Sequence, residues 1–325
     1  MSKDIISKKQ NPIIKLFHKT LPLIGIILLI YILANIDMGK IINLFSQIPP
    51  LYSLLSLFAS APIILLTNYQ WQLLLRKQKI NISHTCSIKN LFIGFFYGFI
   101  TPGGLGGYTR VFHLKDKSGE PLEKCLSNLI ILNTINFISL LLLGIIGGFI
   151  LSSKLPYLLP IITTIFLIEL VLFLVFLKKD IWKRFFKKIL NSRFLNSFGD
   201  KINISIDAFY KDFPKHRDIL YPFTVSTIGW IVNFSELYLI SRLFSINVPY
   251  MYFILIASIV SIIASIPITI YGLGTREITF IALFSSFNVM PEKIIGLSLF
   301  WFIIIWVIPS VIGAVITVIE TRSNQ

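Results

Sequence analysis

Two short runs in this sequence have the residue types and spacing to hold an anion. Pro102-Gly103-Gly104-Leu105-Gly106-Gly107 leads through Tyr108 and Thr109 to Arg110. Pro267 leads through Ile268 to Tyr271, then Gly272-Leu273-Gly274-Thr275, to Arg276 and Glu277. Each has a proline, then Gly-Leu-Gly, then Thr-Arg. Glycines let a headgroup approach the backbone. Amides opening the helix after such a break can hold a phosphate, and Arg110 or Arg276 would supply the counter-charge. The plainer reading is close helix packing at glycine with the arginines reaching toward the interface. Arg276 beside Glu277 can also neutralise itself.

The other polar groups inside apolar stretches are Glu169, Asn233, Glu236 and the asparagines Asn128, Asn133 and Asn136. A carboxyl within a bilayer is a functional candidate by default, because leaving it charged against lipid is costly. Glu236 with Asn233, one turn away on the same helix face, is the stronger of the two, and it is a candidate proton carrier. Glu169 stands in an otherwise featureless run. The asparagines are expected to hydrogen-bond between helices. The four histidines, His18, His84, His113 and His216, fall at loop or interfacial positions and receive no role. Cys86 and Cys125 are expected on the cytoplasmic side, where a disulfide is not. With no CxxC or His-rich spacing, no metal or other cofactor is expected.

What must position these groups is a membrane. The 325 residues are 55% hydrophobic and 14% charged, with mean hydropathy +0.79, too apolar for one soluble core. Residues 20–36, 51–75, 125–153, 155–168, 243–275 and 294–319 carry no Lys, Arg, Asp or Glu, and most are long enough to cross about 30 Å of hydrocarbon. The net charge of +15 is confined to segments between apolar runs, which points to membrane orientation and not to nucleic acid. Residues 1–19 (five lysines, one aspartate), 76–89 and 178–218 (eleven basic against five acidic residues) are therefore expected in the cytoplasm. The first apolar run lacks a small-residue cleavage site and reads as a retained helix.

Spans are expected at 20–36, 51–74, 126–151, 157–177, 219–243 and 294–319. The stretch Ile88–Ile100 is about 20 Å as a helix, too short to span, and runs into the first glycine motif. A hairpin near 88–114 that re-enters the cytoplasmic side satisfies both its length and the charge distribution. A second hairpin near 250–287, entering from outside, satisfies the short arm Ile278–Phe287. Segment 178–218 alternates apolar residues (Ile181 to Phe198) with bases at helical spacing, so part of it should lie as a helix in the headgroup interface. The expected fold is thus all-α and integral to the membrane, with about six full spans and two Gly/Pro-broken hairpins. Repeats 20–151 and 157–319 begin on opposite faces, an inverted-topology repeat of the kind that builds midplane transport sites.

At these residues the sequence resembles the lysylphosphatidylglycerol synthase transmembrane-region family, also called flippase-like membrane proteins. The resemblance rests on Trp71-Gln-Leu-Leu-Leu, on Phe95-Phe-Tyr-Gly-Phe-Ile-Thr-Pro-Gly-Gly-Leu-Gly-Gly107 with Arg110, and on Ile266 through Glu277. It departs from the family pattern at Asn133-Thr134, where an acidic-Arg pair is common, and at Gln70, where an arginine is common. The resemblance implies movement of an anionic phospholipid or polyprenyl-linked glycolipid across a prokaryotic cytoplasmic membrane, with both termini in the cytoplasm. No soluble synthase domain accompanies the membrane region here, so synthesis is not implied. Membrane lipids, anionic ones above all, are the expected partners, and a lipid- or glycan-modifying enzyme is a second. Two rivals stand beside translocation: a membrane-embedded transferase acting on lipid-linked sugars, and a scaffold for a lipid-modifying enzyme. Against the first, the sequence has no aspartate cluster, nucleotide-binding loop or nucleophile-base spacing, so enzymatic activity is not expected.

Overall fold

A computed structural model describes residues 39, 43, 45, 46, 48–56, 58–152, 158–176, 178, 207–266 and 270–323. The expected cytoplasmic segment 1–19, the first span at 20–36, most of the interfacial segment and Pro267 lie outside the described residues. Every regular element among the described residues is helical.

The helices are α1 (Pro50–Ser56), α2 (Ser60–Lys77), α3 (His84–Phe99), α4 (Arg110–Ser118), α5 (Leu122–Ile150), α6 (Leu158–Phe176), α7 (His216–Leu243), α8 (Tyr250–Ala264), α9 (Thr275–Phe284), α10 (Pro291–Phe302) and α11 (Ile308–Ser323). Among the described residues, four stretches are long and apolar enough to cross a membrane: Pro50–Lys77, Leu122–Ile150, Arg217–Leu243 and Pro291–Glu320. Leu159–Val175 and Tyr250–Ala264 are apolar but shorter. Large apolar side chains such as Leu65, Val171, Leu172, Leu239, Val315 and Val318 point outward and are more than half exposed. A protein in water would not leave so many uncovered, whereas acyl chains cover them at no cost. The chain is an integral membrane protein.

The structure adds two local details. The Pro-Gly run interrupts the α-helix, and Pro102–Thr109 winds into a 3-10 helix. The last span is not uniform either: between α10 and α11, Ile303–Val307 form a π turn. Such wide turns mark places where a helix accommodates an inserted group.

The core has two layers. One gathers Trp71, Leu74, Leu75, Leu91, Leu114, Leu129 and Leu132, and the other gathers Leu140, Leu141, Phe244, Phe253, Phe284 and Leu297. Helix α5 runs through both, and at 29 residues, about 43 Å long, it is the axis of the molecule. Around it the pairings recur between the two halves. Helix α2 packs on α3 as α7 packs on α8. Helix α3 of the first half lies along α11 of the second, while α8 of the second half lies along α5 of the first. Helices α2 and α7 pack on each other.

Candidate site where the two glycine motifs meet

The first motif folds back on the helix before it. Helix α3 opens on Ser83, whose hydroxyl accepts the Cys86 N–H at 3.2 Å, and runs to Ile100. There Thr101, in extended geometry, turns the chain. Its Oγ1 donates to the Tyr97 carbonyl at 2.8 Å and accepts the Gly106 N–H at 2.6 Å, pinning the returning strand to the helix end. Gly106 is required at this point, because a Cβ there would collide with the Tyr97 carbonyl. The return path then stays close to α3. Gly107 lies beside Gly94, and the Asn90 Nδ2 donates to the Arg110 carbonyl at 3.1 Å. Residues 84–118 thus fold back on themselves, with Pro102–Thr109 and α4 packed along α3.

The second motif reaches the first. Tyr271, between α8 and α9, has the left-handed backbone conformation φ 48°, ψ 35°, which is strained for a residue with a large side chain. That conformation delivers its ring to the first hairpin. The ring stacks on Trp306, in the π turn, with centroids 3.8 Å apart, and on Phe99 at 6.4 Å. Its hydroxyl enters the space beside Gly98, with Gly104 against the ring edge. Gly98 has to be glycine for this approach. The two glycine motifs, 160 residues apart in sequence, therefore touch at their tips.

One helical turn below this contact sits Arg110. Its guanidinium lies over the ring of Trp71, 5.3 Å from the centroid, and its Cδ packs against Gly94. Its Nε is buried without a hydrogen-bond partner, and among the described residues no carboxylate pairs with it. The Asn90 Oδ1 is likewise buried and unpartnered. Trp71 itself is fully buried and held in place: its Nε1 donates to Asn128 Oδ1 at 2.7 Å, and Asn128 Nδ2 donates to Gln78 Oε1 at 2.7 Å. A second chain of bonds, Gln72 to Ser87 at 2.8 Å and Ser87 to Asn68 at 2.5 Å, ties α2 to α3. Helix α2 thus presents a buried polar stripe from Asn68 to Gln72. That stripe was not singled out from sequence, although six consecutive non-aliphatic residues, Thr67 to Gln72, inside an apolar span are a visible signal.

Arg276 has a different setting. Its Nη2 donates to Glu277 Oε1 at 2.6 Å and its Nε to Ser298 Oγ at 2.8 Å, while the guanidinium lies 5.2 Å from the centre of the Phe302 ring. Glu277 Oε2 accepts the Gly274 N–H at 2.6 Å, and Ser298 Oγ donates to Oε1 at 2.6 Å. Both charges are buried and fully engaged. This cluster ties α9 to α10.

The remaining predicted residues are dispersed. Pro102 and Gly103 open the 3-10 helix, and Gly272 and Gly274 flank the second tip. Asn233 and Glu236 lie on α7, each with one buried oxygen lacking a partner. Glu169 lies on α6, which packs on α5 away from both tips. Of the asparagines, Asn128 joins α5 to α2, and Asn136 accepts from Ser226 Oγ at 2.7 Å and, through its carbonyl, from Trp230 Nε1 at 2.9 Å.

Comparisons with known proteins agree with this architecture. The chain is 25% identical to a UPF0104 membrane protein of Methanocaldococcus jannaschii, covering 95% of this chain and 97% of that one. It is 23% identical to UPF0104 membrane proteins of Methanothermobacter thermautotrophicus, over 83% of this chain and 85% of the relative, and of Pyrococcus horikoshii, over 90% and 94%. The family described as lysylphosphatidylglycerol synthase TM region matches residues 21–313, a range that holds both glycine motifs, Trp71 and Arg110. The chain belongs to the lysylphosphatidylglycerol synthase transmembrane-region family.

Proposed function

We propose that this protein is a lipid translocase that moves lipids with a phosphate-bearing, anionic headgroup between leaflets of a prokaryotic cytoplasmic membrane, without covalent chemistry. The observation that carries the reading is Arg110: a guanidinium within the helical bundle, beside a Gly-rich break, with a buried unpaired Nε and an aromatic face beneath it. A cation held inside a bilayer without an anion is costly, so its retention calls for an anion that comes and goes. A phosphate oxygen supplies charge-assisted bonds to this group. The headgroup of an anionic phospholipid and the phosphate of a polyprenyl-linked sugar share that chemistry.

In this reading the two hairpins are re-entrant, the halves form an inverted-topology repeat of about six spans, and both termini face the cytoplasm. The recurring helix pairings support it, as does the meeting of the two broken segments, the arrangement by which secondary transporters build a midplane site. The sites are unequal. Arg110 receives the headgroup, whereas the Arg276–Glu277 pair holds the second hairpin in shape.

The test is leaflet exchange of fluorescent phosphatidylglycerol, phosphatidylcholine and polyprenyl phosphate in proteoliposomes. Exchange of the anionic lipids above protein-free vesicles is expected, with Arg110→Ala slowing it about tenfold, the loss of one charge-assisted contact worth about 1.4 kcal/mol. Equal exchange by Arg110→Ala would remove the assigned site. No exchange of any lipid would remove the reading.

A further inference from the structure

We propose that Glu236 is a proton-binding carboxyl within the bilayer, with Asn233 Oδ1 accepting its O–H, and that its protonation governs the transport cycle. The second clause rests on the translocase reading; the first does not.

Asn233 and Glu236 stand three residues apart on α7, so their side chains share a face. Asn233 Oδ1 and Glu236 Oε2 are both buried, and neither has a hydrogen-bond partner. Buried acceptors left without a donor are unfavourable. A proton on Glu236 resolves this, because it converts one acceptor into a donor, satisfies the other, and removes a charge from the apolar interior. A metal cation is a poorer fit, since it needs several oxygens. Helices α2, α5, α8 and α10, which pack on α7, bring no further unpartnered buried side-chain oxygen among the described residues.

Among the described residues, the charged groups around α7 leave Glu236 without a permanent counter-ion. On α2 they are Arg76 and Lys77, with Lys77 paired to Asp218 at 2.8 Å, 18 residues below Glu236 and about 27 Å along the helix. Helix α5 carries Glu123 and Lys124 only at its foot. Helix α10 carries Glu292 and Lys293 at its start, where Lys293 donates to the Ser245 carbonyl at 3.2 Å, beyond the far end of α7. Helix α8 brings Tyr250, whose hydroxyl lies 2.7 Å from Ser235 Oγ, and Tyr252. On α7 itself, the Tyr238 ring meets Tyr250 edge to face, and Arg242 donates to the Ile246 carbonyl at 3.2 Å. Among the described residues, the remaining polar neighbours on these helices are neutral.

The experiment uses the full-length protein in proteoliposomes treated with dicyclohexylcarbodiimide, an apolar reagent that modifies protonated carboxyls from the lipid phase, followed by peptide mass spectrometry. Modification of Glu236 near neutral pH is expected, falling several-fold at alkaline pH, unaffected by sodium, and absent in Glu236→Gln. An unmodified Glu236 at every pH, with Glu169 modified in the same sample, would overturn the proton site, and so would modification independent of pH or blocked by sodium at constant pH. In the same vesicles Glu236→Gln should exchange anionic lipid at a rate that no longer changes with pH. Retention of the wild-type pH dependence would overturn the coupling. A modified Glu236 in vesicles that exchange no lipid would refute the translocase reading and the coupling, and leave the proton site standing.

Discussion

The hydroxyl of Tyr271 occupies the space that a side chain on Gly98 would need. Tyr271 also stacks on Trp306 and on Phe99, contacts it would lose by moving aside. Gly98→Leu is expected to destabilise the protein by about 1–3 kcal/mol through overpacking. Combining it with Tyr271→Ala should recover part of that loss, since the second change vacates the contested volume. Thermal unfolding of the single and double variants in detergent gives the coupling. Additive effects would mean that the two tips do not touch as described.

The Arg276–Glu277 pair should behave as a structural unit. Glu277→Gln leaves a buried guanidinium without its carboxylate and is expected to lower stability by about 3 kcal/mol. The double change Arg276→Leu, Glu277→Leu should cost less than the sum of the two singles, because it leaves no orphan charge. Arg110→Ala, by contrast, removes only a contact with an aromatic face and should shift stability by no more than about 1 kcal/mol. Denaturation midpoints of these variants separate a holding arginine from a receiving one.

Trp71 offers Arg110 an aromatic face, and its own N–H is spent on Asn128. Trp71→Phe is therefore expected to keep most lipid exchange, while Trp71→Leu should reduce it about three- to tenfold by removing the ring. Asn128→Ala orphans the buried indole N–H and the Gln78 amide, with an expected stability loss of about 1–3 kcal/mol. Exchange rates in vesicles and melting in detergent distinguish the two effects.

At the foot of α5, Asp212 bonds to Lys79 at 2.6 Å and to the buried Lys124 at 3.1 Å. The hydrogen bonds from Lys79 and then Lys124 hold its carboxyl below its ordinary value of 3.8. A carboxyl lowered on folding contributes stability that is complete above the unfolded value and is lost as pH falls through the folded one. Thermal stability should therefore drop on acidification below about pH 4. In Asp212→Asn that part of the drop should be absent, and a pH series of melting temperatures for the two proteins checks it.

The helical, membrane-embedded class and both breaks were legible because uncharged length and the Pro-Gly clusters act locally. So was the likeness of the two motifs. Even the difference between the arginines is written beside them: Arg276 is followed by Glu277, Arg110 by Val111. What could not be read was tertiary. Nothing near Trp71 in sequence indicates that Arg110, 39 residues later, will lie over its ring. Tyr271 looks like filler between a proline and a glycine until its backbone conformation aims it across the molecule. The π turn at Ile303–Val307 has a local cause, Pro309, which offers no N–H to the Ile305 carbonyl four residues back, but its use is seen only once Trp306 lies against Tyr271.

The pairing of α3 with α11 has a consequence for biogenesis. The glycine-rich hairpin is made early, yet the wall it rests on, α11, is synthesised some two hundred residues later: Gly313 abuts the Phe92 carbonyl, and Ser310 Oγ donates to the Phe95 carbonyl at 3.1 Å. Until residues 308–323 are synthesised, residues 84–118 have no lasting seat. The nascent chain must keep that short, glycine-broken segment waiting while some two hundred residues are inserted around it, and closing α11 over it is what completes its seat.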